Sequence, residues 1–85
     1  MKKWVKNLDE LTEYQREHAR DQYIWLRSCE DEIPEEEYLK KEFNYNGSLM
    51  DMHNNQDVIE EIDEILESKE IEIDTEDEFY IYVEL

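Results

Sequence analysis

A single cysteine, a single proline and a single glycine stand in 85 residues, and Lys and Arg together number nine. One cysteine forbids an intramolecular disulfide and is too few for a zinc site, so nothing implies an oxidising compartment. Scarce glycine excludes a phosphate-cradling loop, and no Gly-, Ser- or Pro-rich linker divides the chain. The longest apolar runs, Tyr23 to Leu26 and Phe79 to Val83, fall far short of the ~20 residues of a membrane span. The start, Met1-Lys2-Lys3-Trp4-Val5-Lys6-Asn7, has the basic residues of a secretion signal without its apolar stretch. One small soluble domain, cytoplasmic and not attached to a membrane, is the expectation.

What the chain has in excess is acid. Twenty-six Asp and Glu give a formal charge of −17, and the mean hydropathy is −1.02. Such composition also characterises disordered chains. Two Trp, six Tyr and two Phe, with apolar residues at regular spacing, favour a folded domain instead. The charge is uneven. Residues 1–29 carry six bases and five acids; residues 30–85 carry three bases and twenty-one acids. An acidic surface is repelled by nucleic acid and by anionic lipid, so direct binding to either is disfavoured and an electrostatic partner should be basic.

The apolar spacing predicts an α+β domain: a long N-terminal amphipathic helix and a second helix packed on a small antiparallel sheet. Asn7 is a good N-cap, and a helix over 7–29 would turn Leu8, Leu11, Ala19, Leu26 and Cys29 inward, supported by Glu13–Arg16 and Glu17–Arg20 pairs. Ile24 falls on the charged side of that helix, so it is either covered by another part of the chain or offered to a partner. Pro34 followed by Glu35, Glu36 and Glu37 starts another helix. Asn46-Gly47 either ends it or turns a hairpin in which Phe43, Tyr45, Ser48, Met50 and Met52 share one face. Residues 56–68 read as a helix with Val58, Ile59, Ile62, Ile65 and Leu66 inward. A C-terminal hairpin follows, Ile71 and Ile73 facing inward with Phe79, Ile81 and Val83, and Glu70, Glu72 and Asp74 facing outward with Tyr80, Tyr82 and Glu84.

Chemistry finds little footing in this pattern. Cys29 and His18 stand about three turns apart on one helix, so they form no nucleophile–base pair there, and Cys29 reads as a buried structural thiol. His18 reads as a packed or interfacial side chain; His53 lies in a polar stretch with no assignable role. Asp74, Glu76 and Glu78 imitate the first ligands of a calcium loop, but Phe79 stands where the loop needs Gly and Leu85 where it needs Glu. No catalytic residue, metal or cofactor is expected.

A charge run is ordinarily a solvated face, yet three consecutive elements of unpaired acids exceed what solubility needs. Candidate contacts are Asp57, Glu60, Asp63, Glu64 and Glu67 on the helix, Glu70, Glu72 and Asp74 on the strand, and Glu76 and Asp77 in the loop, with Tyr80 and Tyr82 as flat apolar partners. The stretches Glu35-Glu36-Glu37, Glu60-Glu61-Ile62-Asp63-Glu64 and Thr75-Glu76-Asp77-Glu78, in so short a chain, resemble the small phage-encoded inhibitors of bacterial defence: anti-CRISPR, anti-restriction and uracil-DNA glycosylase inhibitor proteins. The resemblance is one of size and composition. It implies a non-enzymatic DNA mimic in the host cytoplasm, seated in the basic channel of a nucleic-acid-binding host protein, a CRISPR effector nuclease first. Removing the charges of Glu60, Asp63, Glu64 and Glu67 together would then weaken the complex at least about tenfold without unfolding the chain. Two other readings stand beside it: an immunity protein or antitoxin that neutralises a basic toxin, and a small homodimeric regulatory protein joined through Ile24 and Trp25, its charge serving only solubility.

Overall fold

The computed structural model describes residues 1–85 and shows the expected α+β class, a three-stranded antiparallel sheet against helices. The first strand was not legible locally. Lys2–Val5 forms β1 and pairs with β2, Glu70–Asp74, in the register Lys2↔Asp74, Trp4↔Glu72. Val5 is the one buried residue of β1. β2 is therefore central, and β3, Ile81–Glu84, is the far edge.

The single helix expected over 7–29 is broken near its start. Asn7 does act as a cap, accepting the Asp9 N–H at 3.0 Å, but for one 3₁₀ turn, Leu8–Glu10. Leu11 is extended, and Thr12 then starts α1, Glu13–Asp31, through a capping box: Thr12 Oγ1 accepts from Gln15 N and Gln15 Oε1 accepts from Thr12 N. The box satisfies two of the donors that the break leaves without a ladder partner. The break shifts the phase of everything after it. Leu8 and Leu11 are buried from the turn and not from the helix, while α1 buries Gln15, Ala19, Tyr23, Ile24 and Ser28. Cys29, expected as a buried thiol, is exposed. Ile24 is fully covered, because α1 is flanked by α2, β3 and α4 on more than one side.

Glu32, in the left-handed region at φ 57°, ends α1. α2, Glu35–Phe43, follows Pro34 with acids in its first turn and Lys40 and Lys41 in its last, matching the helix dipole. Asn44 ends it at φ 52°. Neither the hairpin at Asn46-Gly47 nor a longer helix forms. A type I′ turn needs positive φ at both residues, and only Glu32 and Asn44 have it. Gly47 instead makes room: a Cβ there would stand 2.7 Å from Tyr45 Cζ. Ser48 caps a single turn, α3, Leu49–Met52, which buries Met52 and exposes Met50.

Asn55 accepts the Val58 N–H and starts α4, Gln56–Glu67, with Val58, Ile59, Ile62 and Leu66 buried and Ile65 half-buried. The C-terminal hairpin has the expected partners, Ile71↔Val83 and Glu72↔Tyr82. Phe79 departs from it. Asp77 accepts from the Phe79 N–H through its side chain and from the Tyr80 N–H through its carbonyl, a turn that holds Phe79 outside β3, edge-on to Tyr14 at 5.2 Å. Gln22 of α1 covers the free edge of β3: its Nε2 donates to the Ile81 carbonyl at 2.9 Å and its Oε1 accepts from the Val83 N–H. The edge is thus closed to further strands.

Tyr23 is buried in this core, and burial first, then the neighbouring Tyr38, raises its pKa from 10.0 to about 12. Folding favours its neutral form, so its contribution is complete below the ordinary value and is lost as pH rises from 10.0 to about 12. Urea unfolding followed through that window should show the wild type losing stability that Tyr23→Phe retains; parallel losses would contradict the assignment.

Candidate interaction surface

Each helix and strand sends its apolar side to one core and its acids outward. On α4, at 100° per residue, Asp57, Glu60, Glu61, Glu64 and Glu67 fall within about 120° of the circumference, all exposed, and no base pairs with any of them. Glu60 and Glu64, one turn apart, repel each other. Glu61, absent from the expected contacts, belongs to this face; the 3.6-residue period of the helix puts it there, one turn after Asp57.

Asp63 does not act with them. Its carboxylate accepts from Arg20 Nε at 2.7 Å and Nη2 at 2.9 Å, a bidentate pair joining α4 to α1 with the two side chains 27% and 12% exposed. Arg20 is drawn to Asp63 and not to Glu17, and the expected Glu13–Arg16 bridge is also absent. Charged hydrogen bonds of this kind stabilise by about 1–3 kcal/mol. Asp63→Asn should lower the urea-unfolding free energy by that much, whereas Glu64→Gln should change it by less than about 0.5 kcal/mol. Equal effects would show that the pair holds nothing together.

The sheet's outer face carries the other candidates. Glu72 is half-buried, and its Oε1 accepts the Tyr80 hydroxyl at 2.6 Å, which raises the Tyr80 pKa. Lys2 Nζ stands 4.4 Å over the Tyr80 ring. Asp74 accepts from the Glu76 N–H and from the Met1 ammonium, both at 2.9 Å, and these two contacts hold its carboxyl below the usual range. Glu76 is 3.9 Å from the same ammonium. Asp77 is occupied in shaping the turn. Glu70 and Glu84 face each other across the register without a base. Tyr82 meets Trp4 edge-on, ring centroids 6.2 Å apart.

The twelve candidates therefore do not form one patch. The core, shared by Ile62 and Leu66 of α4 with Ile71, Ile73 and Val83 of the sheet, lies between the α4 face and the outer sheet face. Glu30, Asp31 and Asp21 pair with Arg27, Lys41 and His53, so with Asp63, Asp74 and Glu76 six of the twenty-six acids have a basic partner. Glu35, half-buried at the start of α2, has its carboxyl pushed up by burial and then by Asp21 and Glu36. The largest depression, between α2 and the 44–48 loop, is an open groove lined mostly by polar side chains such as Glu36, Lys40, Asn44 and Asn46. No helix is long and apolar enough to cross a membrane.

No protein-family model, no curated protein and no solved structure matches the chain.

Proposed function

We propose that this protein is a non-enzymatic inhibitor that fills the basic nucleic-acid channel of a host defence protein, a CRISPR effector nuclease first, and excludes DNA or guide by steric and electrostatic competition. The α4 face carries this reading. Its five carboxylates, from Asp57 to Glu67, lie along ~15 Å of helix axis, a mean spacing of ~4 Å, against one phosphate per ~3.4 Å along a DNA strand. A groove lined with Lys and Arg to hold such a strand would meet a similar charge density on a rigid rod. The proposed setting is the bacterial cytoplasm, where such channels are found.

The immobilised protein should retain a nucleic-acid-binding enzyme from a bacterial lysate, released both by rising salt and by duplex DNA or heparin at constant salt. A partner that leaves with salt but stays bound against excess DNA would replace this reading with that of an antitoxin or immunity protein, whose basic target need not hold nucleic acid.

A further inference from the structure

We propose that the outer face of the sheet is a docking surface for an arginine-bearing segment of a partner protein, with the guanidinium seated against Trp4 and Tyr82 and held by the carboxylates of Glu70 and Glu84. The register places Trp4, Glu72 and Tyr82 in one row across the three strands, with both rings 45% exposed on a face that no other element covers. The rings stand 6.2 Å apart at 76°, so they offer a ring face and a ring edge to an incoming side chain.

The neighbouring rows show what this face accepts. On one side, Lys2 already lies 4.4 Å over the Tyr80 ring, opposite Asp74 in the register: a cation on an aromatic ring beside a carboxylate. On the other side, Glu70 and Glu84 are directly opposite each other, both exposed, with no basic partner within 4 Å. Like charges in opposed positions destabilise a strand pair. Lys6, which would continue the register opposite Glu70, makes no ion pair. One end of the face thus holds its cation from within the chain, and the other has the same aromatic and acidic groups with none.

Arginine suits this end better than lysine. Its guanidinium is planar and weakly hydrated, so it can lie on a Trp or Tyr ring while its fork of N–H groups reaches two acceptors. Carboxylates on opposed residues, with Cβ atoms about 5 Å apart, are spaced for such a fork. A lysine ammonium would supply the charge and lose both the stacking and the second hydrogen bond. The site is independent of the α4 face, across the core from it, so either can fail without the other.

The test uses the full chain in a Trp25→Phe background, which leaves Trp4 as the one indole; Trp25 is an exposed residue of α1. Nine-residue oligoarginine and oligolysine are titrated at equal ionic strength while Trp4 emission is read. Oligoarginine should bind about three- to tenfold more tightly than oligolysine. Tyr82→Thr, which keeps strand propensity, should bring that ratio close to one, with circular dichroism confirming the fold. Glu84→Gln, which leaves both rings and the backbone ladder in place, should weaken oligoarginine about threefold. Equal affinities for the two peptides, a silent Trp4, a preference that survives in Tyr82→Thr, or a Glu84→Gln variant that binds like its parent would each overturn the proposal.

Discussion

Replacing Glu60, Glu61, Glu64 and Glu67 together by Gln should weaken binding to the captured partner at least about tenfold and leave the chain at least as stable as before. Each charge facing Lys or Arg in a partly desolvated channel contributes ~0.3–1 kcal/mol, so four removed together amount to ~1.2–4 kcal/mol, against about 1.4 kcal/mol for a factor of ten. Stability moves the other way. The four are exposed and none has a basic partner; the one internal contact, Gln56 Nε2 donating to Glu60 Oε1 at 3.4 Å, can be kept by the Gln side-chain oxygen, and the Glu60–Glu64 repulsion, worth ~0.2–0.5 kcal/mol, disappears. Gln also preserves helix propensity and the shape of the face. The opposite signs separate a lost interface from a lost fold. Asp63 is left in place because its pair with Arg20 joins α4 to α1, and changing it would mix the two effects. Unchanged affinity with an intact fold would remove α4 from the interface.

Ile24→Ala is expected to cost about 2–5 kcal/mol of unfolding free energy, the range for truncating a fully buried isoleucine. Ile24 is 0% exposed, inside the cluster that also holds Tyr23, Tyr38 and Leu39. At ~0.05–0.15 kcal/mol per residue a chain this size holds roughly 4–13 kcal/mol in all, so one side chain accounts for a large fraction. With a urea slope of about 1 kcal/mol/M, the midpoint should fall by ~2–5 M, or the protein should not fold at room temperature. An effect below about 0.5 kcal/mol would mean that Ile24 is a surface residue open to a partner. Its burial already removes it from the homodimer surface considered with Trp25, which remains 53% exposed.

Local pattern is sufficient where an element's two sides differ strongly in polarity. α4 and the β2–β3 hairpin were legible because the inward residues repeat at 3.6 and at 2.0 positions, and the acids between them can only face out. The candidate interface was legible to the same degree: the acidic arc follows from the helix period alone. Other features depend on distant partners. The residues of β1 pair with β2 some seventy positions away, and no four-residue segment announces such a partner. Ile24 lies on the charged side of the helical stripe, where the pattern left it either covered by the chain or offered to a partner; packing of α1 against α2, β3 and α4 decides for the first. Asn46-Gly47 carried a strong turn signal that was overruled when Asn44 ended α2 earlier and Tyr45 occupied the space beside Gly47.

Charge divides along the same line. The sequence alone determines how many carboxylates the chain holds and on which side of each element they project, since these follow from composition and backbone period. Which of them remain free for a partner is decided only when the chain packs. A carboxylate is taken up by whatever cation or hydrogen-bond donor its side chain meets, and the cations Arg20 for Asp63 and the Met1 ammonium for Asp74, and the hydroxyl of Tyr80 for Glu72, come within reach only through tertiary contact.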